Sequence, residues 1–350
     1  MTNSPKSTTT DPGLSPEAVS AWLTDNVDHV SGAVSFERIA GGRSNLTYQA
    51  RDEAGSRWVL RRAPLGMGAS RSHDVLREAD VLRRLSVTDV KVPVVAGSCD
   101  DSNLTGAPFY VMEFIDGIIL RDPATVEASV PVDKRPAFAR SLVTTLAELH
   151  SVDPREIGWA ALADRGDYIS RQLNRWSTNW AADRVRVLDD IGRAHDRLRE
   201  RMPKQGAPGI VHGDYRIDNC VYAPDGTIRA VLDWELTTVG DPLADLGQLL
   251  TYWTEPDDEV RALENPPTLA SGFPTRDELV EMYVDASPTE KTPDIRFHVA
   301  YNWWKVACIV ENVYTRMSRG AMGASDRTPE SFAAQAERIA AQAWRYASDL

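Results

Sequence analysis

Polar and apolar residues alternate with a period of two along three stretches between residues 34 and 61. This is the pattern of half-buried β-strands. Between residues 72 and 86 the apolar positions instead recur every three or four residues, as on one face of a helix. Two further strand-like runs follow at residues 92–96 and 109–114. The first 115 residues therefore predict a small sheet that carries one helix.

From residue 133 onward the apolar positions follow helical spacing, with one β-rich island at residues 209–233. Helices are predicted at residues 133–149, 167–202, 276–286, 294–319 and 329–347. This change in character predicts three segments. Residues 1–29 form an N-terminal tail and short helix, residues 30–116 a β-rich N-terminal lobe, and residues 117–350 a mostly helical C-terminal lobe.

Composition narrows the class of protein. The 350 residues are 42% hydrophobic and 26% charged, which is ordinary for a globular chain and excludes a disordered, collagenous or membrane-embedded one. The net charge of −12 argues against a nucleic acid partner, which needs basic patches. The polar first twelve residues lack a secretory signal, and the three cysteines are too far apart to suggest disulfides. We therefore expect a cytoplasmic protein without a membrane or nucleic acid partner.

The β island carries the main candidate chemistry. It predicts a hairpin of two short apolar strands, with Asn219 at the start of the first strand and Asp233 at the end of the second. Asp214 lies in the loop that enters this hairpin. Three oxygen-bearing side chains can then converge at its open end, and such ligands suit Mg²⁺.

The spacing His-x-Asp-x-x-x-x-Asn, followed by an Asp on the next strand, resembles the catalytic loop and metal-binding Asp of the kinase fold. The detailed motifs resemble the aminoglycoside phosphotransferase and choline kinase superfamily over roughly residues 30–320. They are His212-Gly213-Asp214-Tyr215-Arg216, Asp233-Trp234-Glu235 and Gly240-Asp241-Pro242. More narrowly, the chain is similar to kinase domains fused to certain acyl-CoA dehydrogenases. Residues 42–48, 59–62 and 73–78 support that narrower match.

The resemblance implies an α+β, two-lobed protein-kinase-like fold with ATP and Mg²⁺ bound in a cleft. Asp214 would orient the acceptor hydroxyl and accept its proton, while Asn219 and Asp233 would hold the metal. His212 would brace the loop. Arg216 would neutralise charge on the transferring phosphoryl group, although a solvated arginine is the alternative.

In the N-terminal lobe the resemblance places a phosphate-covering loop at Gly41, Gly42, Arg43 and Ser44. Paired glycines allow close backbone approach to a ligand, but they also mark simple turns. Arg61 departs from the family pattern, which has a lysine on the third strand. Its counterpart would be Glu78, which falls on the apolar face of the predicted helix and therefore needs a partner.

The nucleotide base would be held by the same lobe. Val59 shares a strand face with Arg61 and would line the adenine site. The run 110–117 is interpreted as an edge strand leading into the hinge, where backbone groups near Glu113 and Ile115 would contact the adenine edge.

The acceptor site is less well defined by sequence. Lys305 and Arg316 are eleven residues apart on one predicted helix and so share a face. They could bind an acidic acceptor or form an ordinary solvated face.

The sequence thus predicts an ATP-dependent phosphotransferase acting on a hydroxyl group of a small molecule, and a hydroxyacyl-CoA-like metabolite is the favoured acceptor. An aminoglycoside or other antibiotic is one alternative. A nucleotide-binding pseudokinase or scaffold is another, supported only by Arg61.

Overall fold

A computed structural model describes residues 14–39, 45–64, 74–287, 293–320 and 327–350. The chain divides into two compact units. Unit 1 comprises the chain up to Asp116 together with Leu232–Leu236, and unit 2 comprises Gly117–Val231 and Thr237–Leu350. The α+β class is confirmed, since unit 1 contains a five-stranded sheet and unit 2 is mostly helical.

Unit 1 is an antiparallel sheet with strand order β1-β2-β3-β5-β4, accompanied by helices. Its elements are α1 (Pro16–Asn26), β1 (Ser35–Arg38), β2 (Leu46–Arg51), β3 (Arg57–Arg62), α2 (Val75–Leu85), β4 (Val95–Cys99), α3 (Ser102–Thr105) and β5 (Phe109–Glu113). The prediction that β5 is an edge strand is wrong, because β5 lies between β3 and β4. Phe109, Tyr110 and Val111 are fully buried there, as expected of an inner strand.

The two faces of this sheet have different neighbours. Leu60 and Val111 point to one face and join a core cluster with Leu23 of α1. Because side chains alternate along a strand, Arg61 and its cross-strand partner Tyr110 point to the opposite face. Helix α2 packs on that side and is capped at its N-terminus by Asp74, whose carboxylate accepts a hydrogen bond from the Arg77 N–H at 3.0 Å.

Unit 2 contains nine helices and two small two-stranded sheets among its described residues. The helices are α4 (Pro123–Ser129), α5 (Arg135–Ser151), α6 (Ala160–Ala163), α7 (Tyr168–Asp183), α8 (Asp189–Glu200), α9 (Leu243–Tyr252), α10 (Arg276–Ala286), α11 (Arg296–Ser318) and α12 (Pro329–Ser348). The strands are β6 (Gly209–Val211), β7 (Cys220–Tyr222), β8 (Ile228–Val231) and β9 (Thr238–Gly240). Strand β6 pairs with β9, and β7 pairs with β8.

Helix α9 and strand β9 were not predicted from the sequence. Eight consecutive residues of α9, from Ala244 to Thr251, are buried, so the polar residues of this helix do not mark a solvent-exposed face. Within the described ranges, every helix is too short or too polar to cross a membrane.

Candidate active site

The loop between β6 and β7 is held by a buried carboxylate. Asp245, in the first turn of α9, accepts hydrogen bonds from the N–H groups of His212 at 2.5 Å and Gly213 at 2.9 Å. Gly213 has φ +86°, which favours glycine. The fully buried His212 accepts the Asp214 N–H at its Nδ1, 3.2 Å away. These bonds fix the backbone that presents Asp214.

Asp214 is held at both carboxylate oxygens. Gln248 Nε2 donates to Oδ1 at 2.7 Å, and Asn219 Nδ2 donates to Oδ2 at 3.1 Å and to the Asp214 backbone O at 2.9 Å. The Asp214 side chain retains 24% exposure. A carboxylate has about four acceptor positions, so this one can still accept a hydroxyl proton from a ligand.

Arg216 lies beside the same carboxylate. Its Nε is 3.4 Å from Asp214 Oδ1, its Nη2 is 3.4 Å from Asp218 Oδ2, and its guanidinium lies 4.8 Å from the centre of the Tyr252 ring. Burial raises the pKa of Asp218, an effect that the nearby Arg216 opposes. Arg216 is thus a partly buried cation next to the candidate base, where anionic oxygens of a ligand would be attracted.

In unit 1, Arg61 contacts three carboxylates. Its Nε is 3.1 Å from Glu78 Oε2, and its Nη2 lies 2.5 Å from Asp233 Oδ1 and 3.1 Å from Glu235 Oε2. The predicted Arg61–Glu78 ion pair is therefore confirmed. The neighbouring Arg62 is fully buried and donates to the Thr105 backbone O, so it is not an alternative to Arg61 in this cluster.

Burial and charge oppose each other in this cluster. Desolvation raises the pKa of Glu78 to about 7; Arg61 counteracts this effect, whereas Asp233 and Glu235 add to it. Burial disfavours the charge on Arg61, but Glu78 and Asp233 outweigh it and raise the pKa of the guanidinium. Arg61 therefore stays charged at every ordinary pH.

Glu235 is a site residue that the sequence prediction missed. Besides Arg61 it binds Asn45, whose Nδ2 donates to Glu235 Oε2 at 3.0 Å, and its backbone O accepts from Arg77 Nη1 at 3.0 Å. Its position two residues after Asp233 was the one available signal.

The candidate metal ligands lie outside the strands. Asn219 ends a short 3₁₀ turn before β7, and Asp233 lies two residues after β8 with φ +67°, so their predicted strand positions are wrong by one or two residues. No group of three His, Cys, Asp or Glu that could hold a metal occurs in the described part of the chain. The oxygen chemistry still fits Mg²⁺, which uses few protein ligands. The Asn219 amide nitrogen is bound to Asp214, which leaves Oδ1 for a cation, while Asp233 Oδ1 is bound by Arg61.

The remaining nucleotide-binding predictions concern unit 1. Gly41, Gly42, Arg43 and Ser44 lie outside the described residues. Val59 is buried in β3, and Ile115 is half-buried. The Glu113 N–H donates to Val94 O at 2.9 Å, and Glu113 Oε1 accepts from Val94 N at 2.8 Å. The Glu113 amide is therefore occupied within the sheet, because β5 is not an edge strand.

The two predicted acceptor-binding cations have different surroundings. Lys305 Nζ donates to Gly213 O at 3.0 Å and to Gln248 Oε1 at 2.7 Å. Arg316 is exposed near the end of α11, roughly 16 Å farther along the helix axis at 1.5 Å per residue. The structure thus brings Lys305, and not Arg316, to the loop that carries Asp214.

A braced His-Gly-Asp loop in a helical unit, together with a buried Arg–Glu pair on a five-stranded sheet, defines a kinase-like phosphotransferase. The chain belongs to the phosphotransferase enzyme family APH, whose model matches residues 35–283.

Comparison with individual proteins agrees with this assignment. A provisionally assigned aminoglycoside phosphotransferase of Ralstonia eutropha JMP134 has a TM-score of 0.78 and 28% identity, covering 96% of this chain and 98% of that one. An aminoglycoside phosphotransferase APH(4)-Ia mutant, solved with ADP and hygromycin B, shares the fold at a TM-score of 0.59 and 14% identity, covering 94% of this chain and 98% of that one.

Among curated proteins, acyl-CoA dehydrogenase family member 10 of Mus musculus is 32% identical over 323 residues, or 91% of this chain. The chain spans 30 to 39% of the length of the first three curated relatives that it matches.

Proposed function

We propose that this chain transfers the γ-phosphoryl group of ATP to a hydroxyl group of a small-molecule acceptor. The observation that carries the proposal is the Asp214 carboxylate, which is partly exposed and held at both oxygens by Gln248 and Asn219. A fixed carboxylate of this kind orients a hydroxyl group and accepts its proton as phosphoryl transfer proceeds.

Separate side chains would carry the remaining steps. Asn219 and Asp233 would hold Mg²⁺, which would neutralise phosphate charge when bound. Arg61 would contact ATP phosphates from β3, and Arg216 would attract the charge on the transferring group. The glycine loop at residues 41–44 would cover the phosphates. Catalysis by such groups consists mainly of positioning and electrostatic stabilisation.

A hydroxyacyl-CoA-like metabolite is the acceptor we propose. The alignment with acyl-CoA dehydrogenase family member 10 supports it, since it includes 91% of this chain. The charge beside Asp214 also supports it, because Arg216 is a cation that suits an acceptor carrying negative groups. An aminoglycoside is the second candidate, favoured by the 28% identical structural neighbour that is provisionally assigned that activity.

An acceptor screen tests this proposal. Purified protein with Mg-ATP is offered hydroxyacyl-CoAs, the matching acyl-CoAs without a hydroxyl group, and aminoglycosides, and both ADP and phosphorylated product are measured. We expect product only from the hydroxyacyl-CoAs. Product from aminoglycosides alone would favour the second candidate, and nucleotide binding without product from any acceptor would favour a pseudokinase.

Mg-ATP is expected to raise the melting temperature of the protein. Ligand at 100 times its Kd stabilises the folded state by about 2.7 kcal/mol, which corresponds to several degrees. In Asp233→Asn the Mg²⁺-dependent part of this shift should be lost, because a metal-binding carboxylate becomes a neutral amide. Calorimetry and thermal melts with ATP in Mg²⁺ or in EDTA would measure it. Absence of both heat and a melting shift at millimolar Mg-ATP would contradict the proposed nucleotide binding.

A further inference from the structure

Two side chains from different helices form a chain of hydrogen bonds that ends on Asp214. Lys305 Nζ of α11 donates to Gln248 Oε1 at 2.7 Å, and Gln248 Nε2 of α9 donates to Asp214 Oδ1 at 2.7 Å. Lys305 Nζ also donates to the backbone O of Gly213, which directly precedes Asp214, at 3.0 Å. The Lys305 ammonium group is therefore joined to the catalytic loop at two points.

The chemistry of Lys305 and Asp214 fixes the orientation of the Gln248 amide that lies between them. An ammonium group can only donate, and an ionised carboxylate can only accept. Gln248 must therefore direct its oxygen to Lys305 and its nitrogen to Asp214. With an apolar residue in place of Lys305, one of the two hydrogen bonds that fix the orientation of the Gln248 amide would be lost, and its oxygen would be left without this donor.

Burial makes these contacts costly to lose. Gln248 is 2% exposed, so water cannot replace a hydrogen bond that its amide loses. Desolvation lowers the pKa of Lys305, whereas Asp214 and Asp245 favour its charged form. A half-buried ammonium group needs hydrogen-bond partners, and Gly213 and Gln248 supply them. The arrangement thus links a half-buried cation to the loop that carries the candidate base.

We propose that Lys305 and Gln248 are positioning residues for phosphoryl transfer. Lys305 orients the Gln248 amide, and Gln248 holds Asp214 Oδ1 so that the carboxylate faces the acceptor hydroxyl group. This inference rests on the proposed function, because it assigns the two residues a task in that reaction. Neither residue contacts ATP or the acceptor in this role. Positional errors of about 1 Å at a reacting group can reduce turnover by roughly 10²-fold.

Steady-state kinetics of four variants tests the proposal. Lys305→Met removes the ammonium group, and Gln248→Glu keeps the side-chain shape but replaces the donor with a second carboxylate. For both we expect kcat to fall roughly 10- to 100-fold while KM for ATP changes less than about twofold. Lys305→Arg keeps the charge and the donors and should recover most of the lost kcat. Arg338→Met, which removes an exposed cation from α12, is the matched control and should behave as wild type.

A spectroscopic measurement gives a readout that does not depend on turnover. The side-chain ¹⁵N–¹H signals of Gln248 are assigned by their loss in Gln248→Glu. In the wild-type protein we expect one amide proton to be shifted and slow to exchange, because it is bound to a carboxylate. Both properties should be lost in Lys305→Met and retained in Arg338→Met.

The two measurements separate this inference from the proposed function. If the wild-type protein phosphorylates no acceptor, the proposed function fails, but the amide signals still show whether Lys305 orients Gln248 toward Asp214. Gln248 signals that are unchanged in a folded Lys305→Met variant would overturn the inference. A wild-type kcat in that variant, or a loss confined to KM for ATP, would overturn it as well.

Discussion

Asp214→Asn is expected to reduce kcat by roughly 10²- to 10⁴-fold, the usual contribution of a positioned general base, with little change in the affinity for Mg-ATP. The substitution keeps the side-chain shape, and the new amide can direct its oxygen to Gln248 Nε2, so the loop should remain folded. What it loses is the ability to accept the proton of the acceptor hydroxyl group. Single-turnover phosphorylation and calorimetric titration with Mg-ATP would measure the two quantities separately.

The matched control for this variant is Asp225→Asn. Asp225 lies in the exposed turn between β7 and β8, in the same unit, and its carboxylate accepts from the Thr227 N–H at 3.0 Å. Its replacement should leave kcat unchanged. Asp233→Asn should instead weaken Mg²⁺-dependent nucleotide binding. If Asp214→Asn impaired nucleotide binding and Asp233→Asn impaired only turnover, the two assignments would have to be exchanged.

Sequence predicted elements well where local signals agreed. Helix α10 begins at Arg276 and ends at Ala286, as predicted, and it starts with a capping box between Thr275 and Glu278. The Arg61–Glu78 pair was also predictable, because a carboxylate on an apolar helix face requires a partner. In both cases the signal is local. It lies in the residues that cap the start of α10, or in a charged residue on the otherwise apolar face of α2.

Long-range order could not be predicted in the same way. A strand-like run at residues 109–114 does not show whether its neighbours lie on one side or both, so the inner position of β5 was missed. Lys305 was placed on a helix face by its spacing, yet its partners Gly213 and Gln248 are 92 and 57 residues away in the sequence. Such contacts depend on how α9 and α11 pack, which no local pattern specifies.

The second large effect is expected when Arg61 is removed from its contacts with carboxylates. Arg61→Ala leaves Glu78 buried without its cation and close to two other carboxylates, Asp233 and Glu235. Breaking a buried ion pair in this way typically costs about 3–5 kcal/mol of stability. We also expect kcat/KM for ATP to fall roughly 10²- to 10³-fold, because the cation that we propose to contact the ATP phosphates is lost. Denaturant unfolding and steady-state kinetics would measure the two effects.

A second substitution separates folding from nucleotide use. Adding Glu78→Gln to Arg61→Ala replaces the uncompensated buried carboxylate with a neutral amide, so it should restore much of the stability without restoring kcat/KM for ATP. Arg57→Ala is the control on the same strand, because the half-buried Arg57 pairs with the exposed Asp116 at 2.5 Å and stacks on Phe114. Exposed pairs contribute about 1 kcal/mol or less, so this variant should retain both stability and activity.

Arg61→Lys introduces the lysine that the family has at this position of the strand, where this chain has arginine. Lysine keeps the positive charge but presents a single compact donor group, so it cannot contact Glu78 and Asp233 with the planar geometry of arginine. We expect it to retain some activity, with kcat/KM for ATP reduced about tenfold, and we expect Glu78→Gln alone to resemble it because the same pair is loosened. A folded Arg61→Ala variant with wild-type kcat/KM would show that β3 does not contact the ATP phosphates, since Arg62 is buried on the opposite face of the sheet and bound to Thr105. Arg61 would then serve only to neutralise the buried carboxylates around it.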